Sequence, residues 1–375
     1  MSIDAAARAV RAALDEAREG LIEREVLLEL VALGAVAREH LLVIGPPGTA
    51  KSEAARRAAR AFDAGCFEYL LGRFTEPSEL FGPVDLRKLR EGVVETEIAG
   101  MLPEAEIAFL DEVFLGSTAI LNTLLAILNE RTFRRGRTAL RVPLRVCVAA
   151  SNALPEVEAL AAFADRFLLR VFVDPVPDAS LEELLEAGDR LSTSEPPRRA
   201  ATLADLDRLA DAARTCELGD VRPHLAHAVR LLRKAGIALS DRRVVKAQRL
   251  IAAAAVLDGR SRASAADLWP LVYALPDAEA QALGRGVLRE ALSEAKSAAL
   301  GAAALEASSS HAARAVRIEA DGRALLDATP GDTTERERWL LRVEGVLREI
   351  DAAFSPDALP ETLTALRAAL ASHAE

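Results

Sequence analysis

The residues best placed to do chemistry form one short run, Gly45-Pro46-Pro47-Gly48-Thr49-Ala50-Lys51-Ser52. It follows the apolar stretch Leu41–Ile44 and opens the Ala/Arg-rich stretch Glu53–Phe62, which is the order strand, glycine loop, helix. Backbone amides gathered at a helix N-terminus bind phosphate oxygens, because unpaired N–H groups and the helix dipole both favour negative charge there. Gly45 and Gly48 let the backbone turn back close to the phosphates. Lys51 reaches the β- and γ-phosphates, and the Ser52 hydroxyl can hold Mg²⁺. Ala50 stands where this motif normally has glycine, and its methyl group is tolerable if φ is negative there. The plainer reading is a glycine turn followed by a surface lysine.

Two carboxylates make the second group. Ile107-Ala108-Phe109-Leu110 predicts a buried strand, and Asp111 and Glu112 stand at its C-terminal end. Ligands of open parallel sheets bind at that end. Asp111 can support Mg²⁺ through water, and Glu112 can orient or deprotonate an attacking water. An acidic helix cap is the alternative. Asn152 follows another buried run, Val146–Ala150, where it can place a water against a γ-phosphate or merely cap a turn. Arg166 precedes the apolar run Leu168–Val173. It can pair with a carboxylate in its own subunit or reach a neighbour's γ-phosphate as an arginine finger. Arg242 and Arg243 occupy the first turn of a helix capped by Ser240, where the dipole disfavours cations. His224 and His227 are three apart with no third ligand in view, so they read as ordinary helix residues rather than a metal site.

The elements that must position these groups follow from pattern. Ala5 to Val36 predicts two helices broken near Gly20, with Leu21 and Ile22 as candidates to pack beside a base. Cys66–Leu70 predicts a strand. Val84–Gly100 predicts a surface insertion, with Gly92 between two short strands. Ile120–Asn129 is an amphipathic helix with Leu121, Leu124, Leu125 and Leu128 on one face. Arg131 to Arg145 carries six arginines around Gly136 and predicts a β-hairpin. Pro175–Pro197 predicts a linker with a short helix near Leu181–Leu191. Helices follow over Leu203–Arg214, Val221–Ala235, Asp241–Leu257 and Ala265–Val272. Beyond Pro276, helices over Glu335–Asp351 and Glu361–Ser372 each present an apolar face.

Composition bounds the function. A chain of 375 residues with net charge −10 has room for two or three domains and lacks a dominant nucleic-acid footprint. Three widely spaced cysteines form no metal-ligand pattern and suit a reducing compartment. No basic segment followed by an apolar core opens the chain, and no apolar stretch is long enough to span a bilayer. The expected location is cytoplasmic.

Taken in order, these features resemble the AAA+ ATPases, more narrowly the MoxR branch, and within it the RavA-type regulatory ATPases. The resemblance is carried by Gly45–Ser52, Glu79-Leu80-Phe81-Gly82-Pro83, Leu102–Glu106 running into the Asp-Glu strand, Ala119–Leu125 with Asn129-Glu130-Arg131, and Ser240-Asp241-Arg242-Arg243. It covers about Asp15 to Pro276. It implies ATP and Mg²⁺ as cofactors, with Gly45, Pro47, Gly48, Thr49, Ala50, Lys51 and Ser52 around the phosphates. Ser52 and Asp111 would hold the metal. Val84–Gly100 would be the helix-2 insertion, Thr132–Val142 the hairpin before sensor 1, Asn152 sensor 1, Arg166 the arginine finger and Arg242 sensor 2, with Arg243 as the alternative. The family forms hexameric rings with ATP between subunits, and works with von Willebrand factor A (vWA) domain proteins to remodel protein clients.

The resulting expectation is an α/β P-loop NTPase: an AAA+ core of parallel sheet flanked by helices over residues 1–176, a linker over 177–200, an α-helical lid over 201–276, and a mostly helical C-terminal region over 277–375. The catalytic set is Lys51, Asp111, Glu112, Asn152, Arg166 and Arg242. A DNA-handling AAA+ motor gripping a strand with the basic hairpin is one alternative, disfavoured by net charge and the lack of interleaved aromatics. A nucleotide-dependent scaffold subunit with little hydrolysis is another. No Gly-Ala-Phe-Thr-Gly-Ala loop marks a sigma-factor activator.

Overall fold

The computed structural model describes residues 2–193, 201–308, 318–319, 322–326, 333–353 and 359–374. It divides into two compact units, residues 1–174 with 195–308, and residues 175–194 with 309–375.

The first unit is built on strands β1 (Leu41–Ile44), β2 (Cys66–Leu70), β3 (Ile107–Asp111), β4 (Thr132–Arg135), β5 (Thr138–Arg141), β6 (Val146–Ser151) and β7 (Leu169–Phe172). Five of them form a parallel sheet in the order β2-β3-β6-β1-β7, and β4 and β5 pair separately as an antiparallel hairpin. The central strands β3, β6 and β1 are apolar up to their C-terminal ends because both faces are covered. Alternate residues divide between two cores. Leu41, Val43, Ile107, Phe109, Val146 and Val148 face one, and Leu42, Ile44, Ala108, Leu110, Cys147 and Ala149 face the other.

The helices before the lid are α1 (Ile3–Ala17), α2 (Glu25–Ala37), α3 (Lys51–Ala61), α4 (Pro77–Phe81), α5 (Leu86–Arg90), α6 (Thr118–Glu130) and α7 (Glu158–Ala164). The break near Gly20 falls between α1 and α2, and Leu21 there is buried in the first core. The second core takes α6 through Ile120, Leu121, Leu124, Ile127 and Leu128. Within Val84–Gly100 the two expected short strands are replaced by α5, one turn at Gly92 and a single bridge between Val84 and Thr96. Asp85 is the reason: its carboxylate accepts the amides of Arg87 (2.8 Å) and Lys88 (3.2 Å), which starts a helix. The insertion packs on the hairpin, where the Arg137 amide donates to Val94 O at 2.9 Å and the Thr96 amide to Thr138 Oγ1 at 2.8 Å.

After α8 (Leu181–Thr193), which belongs to the second unit, the chain returns as α9 (Leu203–Arg214), α10 (Val221–Lys234), α11 (Asp241–Leu257), α12 (Pro270–Tyr273), α13 (Ala278–Val287) and α14 (Gly301–Ser308). The helix expected over Ala265–Val272 is instead a 3₁₀ turn, Ala265–Asp267, and then α12. Ser264 and Asp267 cap each other across the first turn, and Pro270 opens a new one. These helices share the first core with α1, α2 and α3, so residues 201–308 join residues 1–174 in one unit.

The segment expected to link two domains is placed differently. Residues 175–194 group with residues 309–375, and α8 extends two residues past the expected Leu191 to Thr193. The rest of the expected linker, 194–200, lies outside the described residues. The second unit also holds α15 (Thr333–Ala353) and α16 (Glu361–Ala374), which bury Val343, Val346, Ile350, Leu363, Leu366 and Leu370 together. Arg348 pairs with Asp178, and Arg367 with Asp351 at 2.8 Å.

Candidate functional site

The loop after β1 is closed on itself by its own carbonyls. Lys51 Nζ donates to Gly45 O and Pro46 O, both at 2.8 Å, and Thr49 Oγ1 donates to Pro46 O at 2.9 Å. Two of the three ammonium protons are thereby used, which leaves one for a ligand. Among the described residues the amides of Gly48, Thr49, Ala50 and Lys51 donate to no other protein group. A side chain built on Gly48 would meet nothing within 4 Å, so the loop is open to solvent beside these unpaired donors. That is the donor set a polyphosphate needs.

The two glycines serve different ends. Gly48 has φ +80°, in the left-handed region that favours glycine. Gly45 is required by packing instead: a Cβ there would fall 2.2 Å from Val173 O, at the end of β7. Ala50 departs from the expectation of negative φ, for it has φ +58°. An alanine in that region carries about 1–2 kcal/mol of strain, so something outside the residue must hold it.

One such restraint is Arg24, which pattern reading passed over. It is buried just before α2 and donates Nε to Thr49 O at 2.8 Å and Nη2 to Asp174 O at 2.8 Å. Its only sequence signal is a cation beside the apolar run of α2, a common surface pattern.

Asp111 and Glu112 stand at the C-terminal end of β3, next to the loop. Burial lowers the Lys51 pKa from its ordinary range, while Asp111 and Glu112 oppose that shift. The three groups thus share one field. Glu112 has φ +48°, and its amide donates to Asp111 Oδ1 at 3.0 Å. Asn152 Nδ2 donates to Glu112 Oε1 at 2.7 Å, bringing the end of β6 against the end of β3. Ser52 Oγ accepts from Arg56 Nη2 at 3.2 Å, a part-buried contact that a metal ion on Ser52 would have to displace.

The arginines divide. Arg166 is half-buried, its Nε has no hydrogen-bond partner among the described residues, and no bond joins it to the loop of its own chain. Arg242 is exposed and donates Nη2 to Asn129 Oδ1 at 2.7 Å. Its neighbour Arg243 is buried and bonds Asp165 Oδ1 (2.8 Å), Leu168 O (2.8 Å) and Ala274 O (3.0 Å). Arg243 is therefore spent on holding α11 to the start of β7. In the basic hairpin, Arg131 donates to Arg38 O at 2.8 Å, Arg135 to Gly82 O at 2.9 Å, and Arg145 to Asp207 Oδ2 at 2.7 Å. Arg134, Arg137 and Arg141 are the exposed remainder.

Residues 8–211 match the family described as the MoxR domain in the MoxR-vWA-beta-propeller ternary systems, and residues 218–283 match an AAA lid domain. Two uncharacterized proteins of Methanocaldococcus jannaschii are each 36% identical over 260 residues, 68% of this chain and 69% and 68% of theirs. A structural protein of Acidianus two-tailed virus is 28% identical over 208 residues, 52% of this chain and 33% of its own. A crystal structure from Cytophaga hutchinsonii, provisionally described as an ATPase, superposes with TM-score 0.62 at 17% identity over 78% of this chain and 96% of that one, which is a likeness of fold. With more than half of its length matching that domain and an AAA lid following it, the chain belongs to the MoxR family of AAA+ ATPases.

Proposed function

We propose that this chain hydrolyses ATP with Mg²⁺ at a site between subunits of a ring, and uses the cycle to remodel a protein partner. The observation that carries the reading is the meeting of Lys51, Asp111, Glu112 and Asn152 at the C-terminal ends of β1, β3 and β6, beside a loop whose amides are unpaired. Lys51 and the loop amides bind and orient the phosphates, and Ser52 and Asp111 hold the metal. When bound, Mg²⁺ neutralises charge on the phosphate oxygens. Glu112 takes the proton of the attacking water, and Asn152 sets where that carboxylate points. In the resting arrangement the Asn152 amide occupies Glu112 Oε1, so the water must compete for it or use the other oxygen.

Arg166 acts on the neighbour's nucleotide, a reading supported by its lack of any bond to its own loop. Arg242 is the exposed lid arginine left for nucleotide contact, since Arg243 is committed elsewhere. A vWA partner, and a β-propeller protein with it, are supported by the description of the matching family. The cytoplasm fits three cysteines without a disulfide, and no helix among the described residues is long and apolar enough to cross a membrane.

Glu112→Gln tests the chemistry. Turnover should fall by roughly 10²–10⁴, the worth of a general base, with nucleotide binding retained. Hydrolysis at the wild-type rate in that variant would remove Glu112 from the mechanism.

A further inference from the structure

We propose that Arg24 is the positioning residue of the phosphate loop: it fixes the Thr49–Ala50 peptide so that the Ala50 amide faces the ligand. The proposal rests on the nucleotide-binding reading above. Carbonyls and amides of the loop differ in their partners. Gly45 O, Pro46 O and Thr49 O all accept bonds from protein groups, while the amides of Gly48 to Lys51 have no acceptor among the described residues. For Gly45 and Pro46 the donors come from inside the loop, Lys51 and Thr49. For Thr49 O the donor comes from outside, and it is Arg24.

The consequence is geometric. In a trans peptide the C=O and N–H point in opposite directions. A guanidinium that holds Thr49 O on the protein side therefore turns the Ala50 N–H toward the opening. That peptide leads into Ala50, whose φ of +58° an alanine does not adopt unaided. A glycine at position 50 would reach this conformation without strain. Arg24 thus supplies through a hydrogen bond what glycine would supply through its freedom.

Other features of Arg24 agree with that task. It is 5% exposed, and its three hydrogen bonds all go to backbone carbonyls: Thr49, Asp174 and, at 2.5 Å, Glu23. Among the described residues no carboxylate forms an ion pair with it. A rigid fork of diverging donors can span three carbonyls, whereas an ammonium is a single point. Asp174 is also the last residue of the first unit before the chain enters the second, so the loop is tied to the end of that unit's final strand.

The test is binding of a fluorescent ADP analogue, without turnover, to wild type, Arg24→Met, Arg24→Lys, Ala50→Gly and the double variant Arg24→Met/Ala50→Gly. Circular dichroism melts run beside it. Arg24→Met should weaken binding about tenfold or more, and Arg24→Lys by an intermediate factor, since a tenfold change matches the net worth of one buried hydrogen bond. Ala50→Gly should recover much of the loss in the Arg24→Met background while leaving the melting temperature deficit in place. A residue that only braced the fold would show the reverse: stability and affinity lost together, with no recovery from glycine. Should Arg24→Met not fold, Arg24→Lys with and without Ala50→Gly gives the same comparison. Wild-type affinity in both Arg24 variants, or a further loss on adding Ala50→Gly, overturns the proposal alone. Absence of binding in wild type, matched by Lys51→Ala, overturns it together with the nucleotide reading.

Discussion

At the scale of single residues, the site combines strain with restraint. Ala50 and Glu112 both hold positive φ, at +58° and +48°, and both lie where backbone direction decides which group meets a phosphate or a water. Each has a neighbour to hold it: Arg24 bonds the carbonyl before Ala50, and Asp111 Oδ1 accepts the Glu112 amide. Arg166 is the contrasting case, half-buried with an unpaired Nε. A guanidinium acting across a subunit boundary should matter to rate more than to binding. Arg166→Ala is expected to lower turnover by about 10³ or more and leave nucleotide affinity within about twofold. Paired measurements of turnover and affinity decide it, and unchanged turnover would make Arg166 a structural residue.

At the scale of elements, α11 fastens the lid helices to the sheet. Arg243, Lys246 and Arg249 lie three residues apart along it, and the latter two share the buried Glu39 at 2.6 and 2.9 Å. Arg243→Met strips donors from Asp165, Phe167, Leu168 and Ala274 at once, and should cost about 3 kcal/mol in urea unfolding. Arg242→Ala, removing an exposed contact, should stay within about 0.5 kcal/mol. Equal costs would contradict this division. A second fastening lies between α2 and α14. Glu29 accepts the amides of Ala303 (2.8 Å) and Ala302 (3.3 Å) at the N-terminus of α14. Burial still raises its pKa from 4.5 to about 7. Between those values the folded chain binds more protons than the unfolded chain. Stability therefore falls as pH rises through this window, by at most about 3 kcal/mol, and is level above it. Glu29→Gln should remove that part of the slope when unfolding midpoints are compared at about pH 5 and about pH 8. An unaltered slope would assign it to other groups.

At the scale of the whole molecule, the proposed chemistry needs more than one copy, because it assigns Arg166 to a neighbour's nucleotide. Particle mass with Mg²⁺ and a slowly hydrolysed ATP analogue should shift from a monomer to about six subunits, beside a nucleotide-free control. A particle that stays monomeric at micromolar concentration would leave the ring to a partner or remove it. The small core of the second unit, Val343, Val346, Ile350, Leu363, Leu366 and Leu370, lies beyond both family matches, whereas that unit's residues 175–194 fall within the MoxR match.

What could be read from the chain were features whose cause is local. The loop between β1 and α3 is marked by its own glycines and lysine. The three central strands are marked by apolar runs, and α6 by leucines at helical spacing. Motif order then sufficed for the family. Tertiary structure settled whatever depended on a distant partner. Within Val84–Gly100 the Asp85 cap starts a helix where a short strand was expected. Half the hairpin arginines are tied to carbonyls and a carboxylate remote in sequence. Arg242 and Arg243 are adjacent and chemically identical, yet helix rotation exposes one and buries the other against β7. Arg24 stands 25 residues from Thr49 and 150 from Asp174. Nothing in a one-dimensional pattern marks a guanidinium whose role exists only once three separate carbonyls have been folded around it.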